Sequence, residues 1–231
     1  MIKNMIKYTA LATLLLGVVG AAEIDVKVIN TTSGSNFTPL LISVHESSTK
    51  LFMPGMPSSL SLQMMAEGGD ISGLVTDLDA LGADSVANPA AGLLAPGANA
   101  TATLTTDATN DSLSIVAMIL PTNDGFIALN GWKVPTEPGT YMVPLHAYDA
   151  GTEANDEIIN GAGAPGMPGI PADPGGNGGT GATGVMTTVE GFVHIHRGVL
   201  GDFNPTGGVS DLDSTTHRWL NPIATAIITV K

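Results

Sequence analysis

The chain has 231 residues, 43% apolar and 13% charged, with 8 Lys plus Arg against 21 Asp plus Glu, a formal charge of -13 and no cysteine. Only six basic residues follow position 22, too few to assemble a phosphate-neutralising patch, which excludes nucleic acid and disfavours an anionic membrane surface. Lack of cysteine removes disulfides, thiolate catalysis, zinc fingers and thiolate-held iron–sulfur clusters, leaving carboxylates, His, Met and hydroxyls to carry any chemistry.

Residues 1–22 open with Lys3 and Lys7, continue through an apolar run from Tyr8 to Val19 and end Gly20-Ala21-Ala22 before Glu23. This is the pattern of a secretory signal peptide, too short in its apolar part to span a ~30 Å hydrocarbon core comfortably. Its cleavage takes the charge from -13 to -15 and predicts a secreted or periplasmic acidic protein with no membrane span. One domain is expected over residues 23–231.

Short apolar and β-branched runs between Gly, Pro, Asn and Asp clusters predict strands at Ile24–Asn30, Leu40–Glu46, Ala100–Thr105, Ser112–Leu120, Gly125–Leu129, Thr140–Ala147, Thr187–Arg197 and Ile223–Val230. These would form an all-β, antiparallel sandwich of about eight strands. Between the second and third, Ser58 or Ser59 is placed to cap a helix carrying Leu60, Leu62, Met64 and Met65 and ended by Gly68-Gly69. Ile71, Leu74, Val75, Leu78 and Leu81 repeat at helical spacing, so a helical hairpin is expected over one end of the sandwich. Met53, Met56, Met64 and Met65 suit core packing, although thioethers are also soft copper ligands.

Asp124 lies in a Pro-Thr-Asn-Asp-Gly turn, and Asp149 opens a glycine-containing turn followed by Glu153, Asp156 and Glu157. No Lys or Arg occurs between Lys133 and Arg197, so a metal or solvent must screen these carboxylates. Irregular loops suit calcium, which takes six to eight oxygen ligands, and Asp124, Asp149 and Glu153 are the candidate set, with Glu67 at a helix end as a fourth. The plainer alternative is a solvated acidic loop. Residues 160–184 hold ten Gly and four Pro, which predicts a long flexible loop. His194-x-His196 on a strand would put two imidazoles on one face, and His45 would add a third nitrogen to an alternative copper or zinc site. No nucleophile elbow, phosphate loop or His-Glu-x-x-His motif occurs, so nothing positive indicates an enzyme.

Three stretches in order, Met118-Ile-Leu-Pro-Thr-Asn-Asp-Gly-Phe-Ile-Ala-Leu-Asn130, Tyr148-Asp-Ala-Gly-Thr-Glu153 and Trp219-Leu-Asn-Pro-Ile-Ala-Thr-Ala-Ile-Ile-Thr-Val230, resemble the spondin N-terminal domain family. His45, Ala66-Glu67-Gly68 and Gly191-Phe-Val-His-Ile-His196 are similar to features of its stand-alone bacterial members. The resemblance implies a β-sandwich related in architecture to C2 domains, with calcium held by loop carboxylates at one end. It further implies a non-enzymatic role in adhesion or matrix recognition; the animal members' partners do not carry over, and an extracellular protein or glycan of unknown identity is the expected partner. The chain departs from the animal members in lacking every cysteine, and no second domain is expected.

Overall fold

The computed structural model describes residues 21–231; the export signal expected over residues 1–22 lies outside them, save for Ala21 and Ala22. Alternation of apolar and polar residues becomes strand in β1 (Ala22–Asn30), where Ile24, Val26 and Val28 are fully buried. β2 (Asn36–Phe37) and β3 (Leu41–Glu46) precede the helices α1 (Leu60–Gly68) and α2 (Ser72–Asp79). Then come β4 (Asp84–Ala87), β5 (Asn99–Thr106), β6 (Asn110–Leu120), β7 (Gly125–Lys133), β8 (Gly139–Asp149), β9 (His194–Ile195) and β10 (Ala224–Val230).

The strands pair antiparallel in the order β4-β3-β6-β7-β8-β10-β1-β5, with β2 added beside β6 and β9 beside β8. The two ends of this order come back together, since the Thr105 backbone N–H donates to Asp84 Oδ2 at 2.6 Å. The result is an all-β sandwich curled until it nearly closes, a shape that leaves little free edge. Its interior is filled from both walls: Ile24, Val26 and Val28 of β1 meet Leu113, Ile115, Ala117 and Ile119 of β6 in one core.

β6 carries a second apolar face. Val116, Met118 and Leu120 point away from the interior, join Leu41, Phe126 and Ala128, and are covered by Leu62 and Met65 of α1 and Leu74 and Leu78 of α2. Burial on both sides explains why this strand reads as an apolar run rather than an alternation. The helical pair therefore lies on a face of the sandwich, not over an end, because the outer surface of β3, β6 and β7 must be removed from water. Ser59 Oγ accepts the Leu62 N–H at 3.2 Å, and Gly69 closes α1 in the left-handed conformation at φ 72, as a helix stop requires.

Two expectations change. The strand anticipated over Thr187–Arg197 shrinks to His194–Ile195, because Gly191 turns the chain at φ 79 and gives its N–H to Gly151 O instead of a ladder. Residues 160–184 form neither helix nor strand, in line with their composition, but they are anchored. Ile170 is fully buried, Asp173 accepts from Gly175 N and Asn177 Nδ2, and the Thr180 N–H reaches Asp211 at 2.7 Å. Side-chain carboxylates replace the absent ladders as partners for the loop backbone. Among the described residues no helix is long and apolar enough to cross a membrane.

Candidate metal centre

One corner of the sandwich gathers the acidic residues. The β6–β7 turn is drawn tight by Thr122, whose hydroxyl donates to Ile119 O at 2.6 Å and accepts the Gly125 N–H at 3.0 Å, which sets Asp124 at the mouth of β7. Gly125 is register partner to Asp149, the last residue of β8. Asp124 then organises the turn that follows: its Oδ2 accepts the N–H and hydroxyl of Thr152 at 2.7 and 3.1 Å and the Glu153 N–H at 3.1 Å. Gly151 at the centre of this turn has φ 68 and lies so close to the Phe192 backbone that a Cβ would collide with it. Both facts demand glycine within Tyr-Asp-Ala-Gly-Thr.

The anticipated carboxylates are buried around this corner, but among the described residues no three of them bring ligand oxygens within 4.8 Å of one another. Asp124, Asp149, Glu153 and Glu67 expose 0%, 1%, 3% and 1% of their surface. Glu153 Oε2 accepts the Gly169 N–H at 2.8 Å, and Glu67 Oε1 accepts from Gln63 Nε2 at 2.7 Å. The other oxygen of each of Asp124, Glu153 and Glu67 is buried with no hydrogen-bond partner among the described residues. Burial, aided by the charge of Asp149, pushes the Asp124 carboxyl up to about 7. Glu153 is also pushed up to about 7, first by burial and then by Glu67 and Asp124. Burial raises Asp149 as well. Glu67 and Glu153 border a groove of about 460 Å³ shared with Thr152, Pro168 and Met186, which gives the corner an opening.

The acidic run from residue 149 to 157 divides by role rather than forming a solvated loop. Asp156 accepts from Asn123 Nδ2 and Ile158 N. Glu157 accepts from Leu200 N, Gly201 N and Ser210 Oγ. Both are fastened to neighbouring segments, while Asp124 and Glu153 keep an oxygen free.

The histidines separate. His45 is register partner to Ser112 and through it to Lys133 at the far end of β7, whereas His194 reaches Asp149 and Gly125 at its start. The strand between them is roughly 26 Å long, so the three-nitrogen centre of His45, His194 and His196 does not form. His45 is instead satisfied locally: Nδ1 donates to Glu46 O at 2.9 Å and Nε2 accepts from Ser114 Oγ at 2.7 Å. His196 spends its lone pair on the Gly198 N–H, accepted by Nδ1 at 3.0 Å, and its buried position pushes it down to about 3. Its Nε2 then carries the proton and is no ligand.

His194 is the reverse case. Its Nδ1 donates to Ile195 O at 3.0 Å, leaving the Nε2 lone pair 3.5 Å from Asp149 Oδ1 and 3.9 Å from Glu190 Oε1. Among the described residues, Asp149, Glu190 and His194 are the one trio of such ligand atoms all within 4.8 Å of one another. Sequence reasoning missed Glu190; its only signal was the four-residue spacing to His194.

The family model described as Spondin_N matches residues 29–158, more than half of the chain. The matched segment contains Asp124, Asp149, Glu153 and Glu67, and stops before Glu190 and His194. No curated protein matches the chain.

Proposed function

The chain belongs to the spondin N-terminal domain family, and from that premise we propose that it is an exported, non-enzymatic recognition domain whose acidic corner holds calcium. Asp124, Asp149, Glu153 and Glu67 would supply the oxygens. The observation that carries this reading is the set of three buried carboxylate oxygens, on Asp124, Glu153 and Glu67, that no donor satisfies. A buried carboxylate without a partner is costly, and none of these three residues has a Lys, Arg or His ion-pair partner among the described residues. A divalent cation removes that cost, and hard oxygen ligands from irregular loops are what calcium takes.

Calcium would then fix the turn from Asp149 to Glu153 and, through Glu153 Oε2 and Gly169, the glycine-rich segment beside it. The segment would be part of the surface offered to an extracellular protein or glycan, in secretion or in the periplasm. No step of this role requires a reaction. The test is elemental analysis of residues 23–231, produced without a metal-affinity tag and purified without chelator, followed by melting with calcium and with EDTA. One equivalent of calcium and a higher melting temperature are expected. A metal-free protein whose melting is the same in calcium and EDTA would overturn the reading.

A further inference from the structure

The geometry points to a second cation site, formed by His194 Nε2, the Glu190 carboxylate and Asp149 Oδ1 and selective for zinc over calcium. It goes beyond the calcium reading and shares only Asp149 with it.

Three features of the trio suit a metal better than an internal ion pair. A charge-assisted hydrogen bond closes to about 2.7–2.9 Å, yet His194 Nε2 stands 3.5 and 3.9 Å from its two carboxylate neighbours. Ligands 2.0–2.2 Å from a tetrahedral zinc lie about 3.3–3.6 Å apart, so the two distances from His194 need at most about half an ångström of closure, while the two carboxylates stand within 4.8 Å of each other. The tautomer is also that of a ligand: Nδ1 gives its proton to a backbone carbonyl, the usual second partner of a metal-bound imidazole. Finally, Nε2 of His194 and Oε2 of Glu190 are both buried atoms without hydrogen bonds.

The surroundings hold the ligands in place. Asp149 is pinned by the Gly151 N–H on Oδ1 and Asn155 Nδ2 on Oδ2, at 2.8 and 2.7 Å. Arg197 Nη2 lies 3.2 Å from Glu190 Oε1 and orients that carboxylate. The Phe192 ring, 5.5 Å from the His194 ring between centroids, shields one side. The side chains of His194 and Glu190 remain 20% and 15% exposed, which leaves an approach from solvent. One nitrogen and two carboxylates form a donor set that a first-row ion prefers and that calcium, which seeks oxygen, does not. Three protein ligands leave a fourth position for water or for a group on a bound partner.

The experiment uses untagged residues 23–231 saturated with calcium and titrated with zinc against a chromophoric chelator, alongside His194→Ala and Glu190→Gln. One zinc per chain is expected, each substitution weakening it at least about tenfold while the calcium-dependent melting shift persists. Cobalt in place of zinc should give visible absorption that His194→Ala abolishes. Three results would overturn the proposal: no stoichiometric zinc on the folded parent, unchanged affinity in His194→Ala, or loss of the calcium shift together with zinc in both variants. The last would mean one shared site rather than two, and failure of calcium binding alone would leave the zinc result standing.

Discussion

Asp124 Oδ2 accepts the backbone N–H of Glu153 at 3.1 Å, so one buried carboxylate shapes the turn that delivers the next. The other oxygen, Asp124 Oδ1, is buried without a hydrogen-bond partner among the described residues. One oxygen of Asp124 is thus spent on structure, and the proposed ligand role falls to the other.

The pH dependence follows with a definite sign. Asp124 and Glu153 are pushed up to about 7 in the metal-free fold, against about 4 in an unfolded chain. Below about pH 4 both states are protonated and neither group costs anything. As pH rises from there to about 7, the unfolded chain ionises first, so the stability of the metal-free fold falls until the folded groups have also ionised. In the proposed site calcium would take the place of those protons. The metal-free melting temperature is expected to drop between pH 5 and pH 8, and the calcium-induced rise to grow across the same window. A calcium shift as large at pH 5 as at pH 8 would contradict this account.

Neutral replacements separate burial cost from ligand role. In Asp124→Asn the amide oxygen can keep the Thr152 and Glu153 hydrogen bonds, while the buried charge is gone. At pH 8 without calcium this variant is expected to melt at or above the parent temperature, yet to show little or no calcium shift. Glu153→Gln should behave in the same direction. Differential scanning calorimetry with and without calcium reads both, and a parent-sized calcium shift in Asp124→Asn would remove that residue from the ligand set.

Much of the sandwich is legible because its strands keep one face wet. β5 alternates Ala100, Ala102 and Leu104 inside with Thr101, Thr103 and Thr105 outside, and β1 and β10 do likewise. β4 escapes notice because Asp84–Ala87 buries no side chain fully, and β2 because two residues hold no period. The convergence of Asp124, Asp149 and Glu153 is foreshadowed by their turns and by the family strings. Glu190 is not, since it is brought to Asp149 by long-range contacts with no local signature: the two-residue pairing of β9 with β8, the Gly191 N–H to Gly151 O bond and the bridge between Ala154 and Val189. The same distance in sequence hides the separation of His45 from His194, because only the registers of β3 with β6 and of β9 with β8 put them at opposite ends of β7.

Gly151→Ala tests whether the turn geometry itself sets up the calcium corner. A left-handed non-glycine residue costs about 1–3 kcal/mol, and here the added methyl also meets the Phe192 backbone, which has no freedom to withdraw like the tip of a side chain. Destabilisation beyond that strain is expected in calorimetry, together with a reduced calcium response, because the Gly151 N–H is also a partner of Asp149 Oδ1. A variant as stable as the parent with an undiminished calcium shift would show that the turn can be rebuilt without glycine.

At the other end of β7 the expectation is purely structural. The Gly131 N–H donates to Ser114 Oγ at 2.8 Å, Ser114 donates on to His45 Nε2, and His45 Nδ1 donates to Glu46 O. This chain of bonds bridges the β6–β7 irregularity between Leu113 and Ile115, where the ladder is interrupted and the Gly131 N–H has no strand partner to use. Burial keeps the His45 ring below the usual histidine range, so the ring is neutral and its Nε2 must accept. Ser114→Ala removes the hydroxyl and leaves the buried His45 Nε2 acceptor and the partly buried Gly131 N–H without this partner, at a cost of about 1–3 kcal/mol. Denaturant titration should show that loss, with the calcium and zinc responses intact because this network shares no residue with the acidic corner. A Ser114→Ala protein that loses either metal response would mean that the two ends of β7 are coupled through the strand itself.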